Sequence, residues 1–347
     1  MILVDEIESF DGTVTKLSEI QSLYYNQINR AGNGDNIDKI VSDSVLTGKI
    51  IIDSKGTIYN LNPNEKAFLT YIETNLQNIL DGTILELLDH IQTIERNPNF
   101  LATLYETDGK LNDFSKKVLK VIFDYKRFRN SKKKSGWFCR KINIKACPFC
   151  NNQYTLVANR KGPKQDLSFT LDHFFPKSKY PYLAISMYNL VPCCGSCNQK
   201  KSDSVVDVSL DFHPYHSSLH ESTYFKVDLP DNIHKMNAID LEKEPEKSFK
   251  IKYATRYKQT EDLFKKHDNT FNITGLYERH SDIAKRLVYL SNQYSKNGTN
   301  IHKALGLVTS KKSALEYLLG NYLNEHEINK RPLSKLTIDI ATKFKLL

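Results

Sequence analysis

Two Cys-x-x-Cys pairs, Cys147/Cys150 and Cys194/Cys197, constrain this chain of 347 residues more than any other feature. Each pair can put two thiolates on one tight turn, and four thiolates complete the tetrahedral shell that a structural zinc prefers. The pairs stand 44 residues apart, Cys150 to Cys194, and bracket the stretches LDHFFPKS and YNLVPCCGSCNQKKSD. A metal joining them would staple that whole region into one small unit. Two disulfides or a redox Cys-x-x-Cys are the alternatives. The N-terminus MILVDEIESF has neither the basic nor the apolar region of an export signal. A cytoplasmic, reducing setting is therefore expected, where paired thiols are more often metal ligands than disulfides. Cys193 can replace Cys194 in the second pair. The repeated spacing favours Cys194, which leaves Cys139 and Cys193 as buried free thiols.

The residues between the pairs carry chemistry. Leu167 to Leu171 is rich in strand formers and runs into Asp172-His173; a second strand is expected from Asn189 to Val191, and a helix whose first turn begins at Asn198. A hairpin followed by a helix would bring Asp172, His173 and Asn198 together. Hydrolysis of a phosphodiester needs a hard cation, oxygen ligands to hold it, and a base for water. Asp172 and the Asn198 amide oxygen suit magnesium or manganese. His173 has an ordinary pKa near ~6.5 and can serve as general base at neutral pH. Lys200 and Lys201 can meet flanking phosphates. Singly, His173 reads as a satisfied core histidine and Asn189 as a turn residue.

These residues together resemble the HNH (ββα-metal) endonucleases, in the subgroup with two Cys-x-x-Cys knuckles. In that pattern an Asp precedes the first His, the middle residue is Asn, and the third position is an Asn directly after the last Cys. Asp172-His173, Asn189 and Asn198 occupy those places. The resemblance implies His173 as base, Asp172 and Asn198 as ligands of the catalytic cation, and Asn189 holding the His173 loop in shape. Some members carry His where Asn198 stands. The expected fold class is α+β, a mostly helical chain around a small zinc-stapled ββα-metal unit.

Beyond that unit the chain is ordinary in composition, with no apolar run able to span a bilayer and no membrane role expected. The first 60 residues hold 9 acidic against 5 basic side chains, whereas residues 125–145 hold 9 basic and no acidic ones. That run includes Lys132, Lys133 and Lys134 and is interleaved with Tyr125, Phe128, Trp137 and Phe138, a composition suited to phosphate contact and base stacking on DNA. A solvated linker is the plainer alternative.

Asn62-Pro63-Asn64-Glu65 predicts a helix start, followed by Phe68, Ile72, Leu76 and Ile79 at helical spacing. A second helix is expected through Leu111, Phe114, Val118, Ile122 and Tyr125. Among His213, His216 and His220, the last two have the spacing of ligands on one helix face, although surface or packing roles fit them better. Helical patterns resume from about Ala254. Near the end, Pro332 marks a helix start, with Leu336, Ile340 and Phe344 along one stripe. That stripe can pack on the core, bind DNA or dock a partner. The expected organisation is a helical region over 1–135, the zinc-stapled unit over 136–210, and a mainly helical region over 211–347.

The order of parts, ending in KRPLSKLTIDI, is similar to the nuclease subunit of Septu and retron-associated anti-phage systems, which accompanies a separate ABC/SMC-like ATPase. This resemblance implies a DNA endonuclease leaving 5′-phosphate and 3′-hydroxyl ends, with an ATPase partner. The chain has no GxxxxGK[ST] phosphate loop of its own. An RNA- or tRNA-directed toxin nuclease and a non-catalytic zinc-dependent nucleic-acid-binding module are the competing readings.

Overall fold

The computed structural model describes residues 4, 6–8, 14–29, 36–158, 166–202, 213–217, 219–233, 236, 238–297 and 311–344. Within them, helices alternate with five two-stranded antiparallel sheets, a mixed helix-and-sheet architecture compatible with the α+β class. A lone two-stranded ribbon is marginal in water, so each one must lean on helices. Here buried apolar side chains from Val4 to Ala341 make one continuous core. No helix among the described residues is long and apolar enough to cross a membrane. The organisation expected at position 210 falls outside the described residues.

Local chemistry starts the N-terminal helices. Asn62 accepts a hydrogen bond from the Glu65 backbone N–H, and the Glu65 carboxylate accepts one from the Asn62 N–H at 2.7 Å. With Pro63 pre-set for the first turn, this reciprocal cap opens the helix Pro63–Asp81. Thr83 and Glu86 repeat the device for Ile84–Arg96. Phe68, Ile72, Leu76 and Ile79 are all buried, as their spacing predicts.

The helix expected between Leu111 and Tyr125 is broken. Ser115–Leu119 forms a π-helical turn, Phe123 leaves the helix at φ −105° and ψ 50°, and Asp124 caps a separate helix Tyr125–Asn130. Capping by Asp124, which accepts from the Arg127 N–H at 2.9 Å, restarts the chain in a new direction. That direction matters, because the new helix lies on the site hairpin described below.

The segment Leu167–Leu171 is likewise two strands rather than one. Asp166–Leu167 pairs with Val157–Ala158, and Thr170–His173 pairs with Leu190–Cys193. The second pairing sets Asp172 opposite Val191 and His173 opposite Leu190. Pro192 is tolerated in it because a strand of a two-stranded ribbon always has a free edge for a residue without an N–H. Asn189, expected to begin this strand, instead closes a 3-10 turn, Met187–Asn189, that leads into it. Helix Gly195–Lys201 follows, so strand, strand and helix come in the expected order, with the helix beginning three residues before Asn198.

The C-terminal region contains a hairpin, Thr223–Asp228 with Lys250–Thr255, that helical periodicity did not suggest. The stripe after Pro332 packs on the core. Its helix is Ser334–Lys343, and Leu336 and Ile340 are wholly buried. Lys335 and Asp339 on that helix form a buried ion pair at 2.8 Å.

Candidate metal centre and adjoining cleft

The sulfurs of Cys147, Cys150, Cys194 and Cys197 lie within 4.8 Å of one another, and all four residues are buried. Cys150 Sγ and Cys194 Sγ are 3.9 Å apart. Thiolates about 2.3 Å from a tetrahedral zinc stand roughly 3.8 Å from each other, so the group can close around one metal ion such as zinc. Two backbone N–H groups help to hold it: Asn152 donates to Cys150 Sγ and Cys197 donates to Cys194 Sγ, each at 3.4 Å. Burial pushes the Cys147 thiol up, while hydrogen bonds with Cys147, Cys150 and Cys197 pull Cys194 far below its ordinary value. A dication at the centre of the group would let all four sulfurs be thiolates together.

The cluster takes Cys194 rather than Cys193 from the second pair. Cys193 lies in the strand, fully buried, with its sulfur 3.5 Å from Thr170 Oγ1, and does not join the group. Cys139 is buried, and burial pushes its thiol up to about 12. None of these cysteines is in a disulfide.

The first knuckle is gripped by distant parts of the chain. Tyr277 donates its hydroxyl to the Cys150 carbonyl at 2.7 Å, and His267 Nε2 donates to the Phe149 carbonyl at 3.0 Å. Asn151, at a positive φ of 49°, accepts from the Lys335 N–H at its side chain and from the Leu333 N–H at its carbonyl. Its Nδ2 donates to Ile328 at 2.9 Å. The C-terminal stripe is therefore a strut of the metal centre.

Beside that centre a cleft of about 470 Å³ is lined by Asp172, His173, Asn198, Tyr125, Arg129 and Lys177, among others. His173 Nε2 is 2.9 Å from the Ala184 carbonyl. A carbonyl can only accept, so Nε2 carries the proton and Nδ1 keeps the lone pair. Burial, aided by the charges of Lys177 and Lys201, pulls His173 down to about 3, which keeps the ring neutral at neutral pH and leaves it a weaker base than a free imidazole. Tyr125 holds the ring edge-on at 4.4 Å.

Asp172 is almost wholly buried. Burial lifts its carboxyl above the ordinary range, and the Lys201 charge opposes that lift. Lys201 Nζ lies 3.1 Å from Oδ2 and 3.3 Å from Oδ1, yet only the Oδ1 contact has hydrogen-bond geometry. A buried carboxylate oxygen short of a hydrogen-bond donor fits a cation ligand. Asn198 is half-buried on helix Gly195–Lys201 and faces the same cleft.

Asn189 acts on backbone only. It is fully buried, accepts from the Phe175 N–H at 2.7 Å, and donates to Phe175 and Leu183 carbonyls at 3.1 and 2.8 Å. The loop between the two site strands is pinned at both ends by this one amide, which makes Asn189 a positioning residue.

One expected nucleic-acid contact, Lys201, needs correction. Lys201 is 1% exposed, donates to the His173 carbonyl at 2.9 Å and pairs with Asp172, so it is an internal counter-ion rather than a phosphate contact. Its helix turns that side chain inward. Lys200 donates to the Phe271 carbonyl at 2.6 Å. Phe128 and Phe138 are core residues and serve packing rather than stacking on bases, while Trp137 is half-buried near Tyr24. Lys132, Lys133 and Lys134 lie between helices Tyr125–Asn130 and Ser135–Ile142; none lines the cleft, and Lys133 is exposed. His213 and His220 are buried and His216 is exposed.

Tyr125, Arg129 and Lys177 were not anticipated as cleft residues. Tyr125 donates to the Leu171 carbonyl at 3.2 Å and Arg129 to the Phe169 carbonyl at 2.8 Å, which lays their helix along the His173 strand. Their i,i+4 spacing was the available signal. Comparison of the chain with protein-family models, with curated proteins and with solved structures finds no match.

Proposed function

We propose that this chain is a metal-dependent endonuclease of the HNH type acting on DNA, built around a structural zinc at Cys147, Cys150, Cys194 and Cys197. The observation that carries the reading is the His173–Ala184 hydrogen bond. It leaves Nδ1 of a neutral imidazole to take a proton from water, in a cleft shared with Asp172 and Asn198. Asp172 and Asn198 would hold magnesium or manganese, which when bound offsets charge building on the phosphate. Asn189 keeps the loop carrying Ala184 in register with His173. A partner ATPase is part of the same proposal, because the resemblance to Septu-type nucleases supplies it and the chain has no phosphate loop of its own.

A second reading, a zinc-stapled nucleic-acid-binding module without chemistry, draws on one observation: Lys201 already neutralises Asp172. Incubation of purified chain with plasmid DNA and magnesium or manganese, beside the His173→Ala variant, separates the two. Cleavage by the parent and none by the variant supports the nuclease. Equal cutting by both, or by neither while DNA is still bound, would reject it.

A further inference from the structure

Next to the cleft runs a groove of about 600 Å³ that shares Tyr125 and Lys177 with it, so the two adjoin along these side chains. Its floor is apolar, from Leu111, Phe123 and Pro181. Its rim carries Lys116, Lys120, Lys126 and Lys177, all exposed. The one carboxylate in the lining, Asp124, is occupied in capping helix Tyr125–Asn130. The π-helical turn Ser115–Leu119 forms part of this wall, and such turns occur frequently at functional sites. Lys177 Nζ sits 4.5 Å from the Tyr125 ring centre at the junction, so a cation and an aromatic face meet where groove and cleft adjoin.

We propose that this groove binds the single-stranded stretch of DNA that adjoins the scissile phosphate, with phosphates on Lys116, Lys120 and Lys126 and a base against the apolar floor. A lysine rim alone would suit any polyanion. An apolar floor inside it suits unstacked bases, which a closed duplex keeps hidden, and aromatic or apolar platforms flanked by cations are how single strands are held without sequence preference. The proposal rests on the nuclease reading only for where the scissile phosphate lies. It also moves the nucleic-acid contact from the residue 132–134 run to the wall made by residues 111–126.

Binding of a fluorescein-labelled oligothymidylate to the full chain carrying His173→Ala tests this without cleavage. Adding Lys116→Ala, Lys120→Ala and Lys126→Ala should weaken binding at least tenfold at low salt. The slope of log affinity against log salt should flatten by about 2, from ~0.7 per lost single-strand contact. Replacing Lys132, Lys133 and Lys134 by Ala should change binding less. The replaced groove lysines are exposed, so metal content and melting temperature should stay at parental values and exclude misfolding. An unchanged slope overturns the proposal, as does tighter binding of a blunt duplex or of oligouridylate. Parental cleavage activity keeps the two ideas apart. Normal cleavage with an unchanged slope rejects the groove alone, whereas a lost slope in a chain that never cleaves keeps the groove and rejects the nuclease. No oligothymidylate binding by the parent rejects the groove whatever the cleavage result.

Discussion

Lys201 Nζ stands 3.1 Å from Asp172 Oδ2, with both side chains almost completely enclosed. Removing one partner of such a pair strands a buried charge and costs about 3–5 kcal/mol. Lys201→Met should therefore lower the urea midpoint markedly, and a second change, Asp172→Asn, should recover much of the loss. Manganese should raise the melting temperature of Lys201→Met more than that of the parent, because the freed carboxylate gains a ligand. A single variant as stable as the parent would show that the pair contributes little.

The metal centre gives an asymmetric prediction for neighbouring cysteines. Cys194→Ser should lose the bound metal, measured by mass spectrometry of purified protein, and unfold the site hairpin, since coordination energy here is folding energy. Cys193→Ala removes one buried sulfur outside the group and should keep the metal with a loss on the order of 1–2 kcal/mol. The reverse pattern would mean that Cys193, not Cys194, is the ligand.

His173→Ala should abolish phosphodiester cleavage while the zinc content is retained, as His173 is not among the four clustered ligands. Asn189→Ala should act differently. It deletes three hydrogen bonds to the loop, so both the melting temperature and the cleavage rate should fall together. Full activity in the Asn189 variant would remove its positioning role.

Acid should destabilise the fold through His213. The ring is fully buried between the Tyr188 carbonyl and the Tyr215 N–H, and burial pulls it down to about 3. Above pH ~6.5 both folded and unfolded chains hold it neutral, and it adds no pH dependence. As pH falls from there toward about 3, only the unfolded chain takes up the proton, so stability declines by up to about 1.4 kcal/mol per pH unit. Chemical denaturation between pH 7 and ~5 should show a shallower slope for His213→Gln than for the parent. Parallel slopes would place the acid sensitivity elsewhere.

The cysteine cluster was legible because each pair needs a fixed residue type at a fixed spacing, and the shared cleft of Asp172, His173 and Asn198 because a hairpin followed by a helix brings them together. The Asn62–Glu65 cap was legible for the first of these reasons, as a contact made within four residues. Lys201 was misjudged because a lysine at the end of a short basic helix reads as surface; only the packing of Gly195–Lys201 on the hairpin turns it inward. Tyr125 and Arg129 share a helix face by their i,i+4 spacing, yet the carbonyls that seat that face on the cleft lie 46 and 40 residues away, so the spacing alone does not say what the face meets. The Thr223–Asp228 strand does alternate buried and half-buried residues, yet its partner begins at Lys250, too far along for a hairpin signal.

The strut on the first knuckle has a consequence in time. Asn151 receives the Lys335 N–H from 184 residues further along the chain. A ribosome has therefore made the cysteines, the histidine and both site strands long before it makes the segment that clamps them. Contacts of such span form late, after the loop between them has been closed at an entropic cost. A nascent chain carrying every group of the cleft would thus lack the clamp on its first cysteine knuckle until the segment around Lys335 had emerged, and a chain truncated before Leu333 would never gain it.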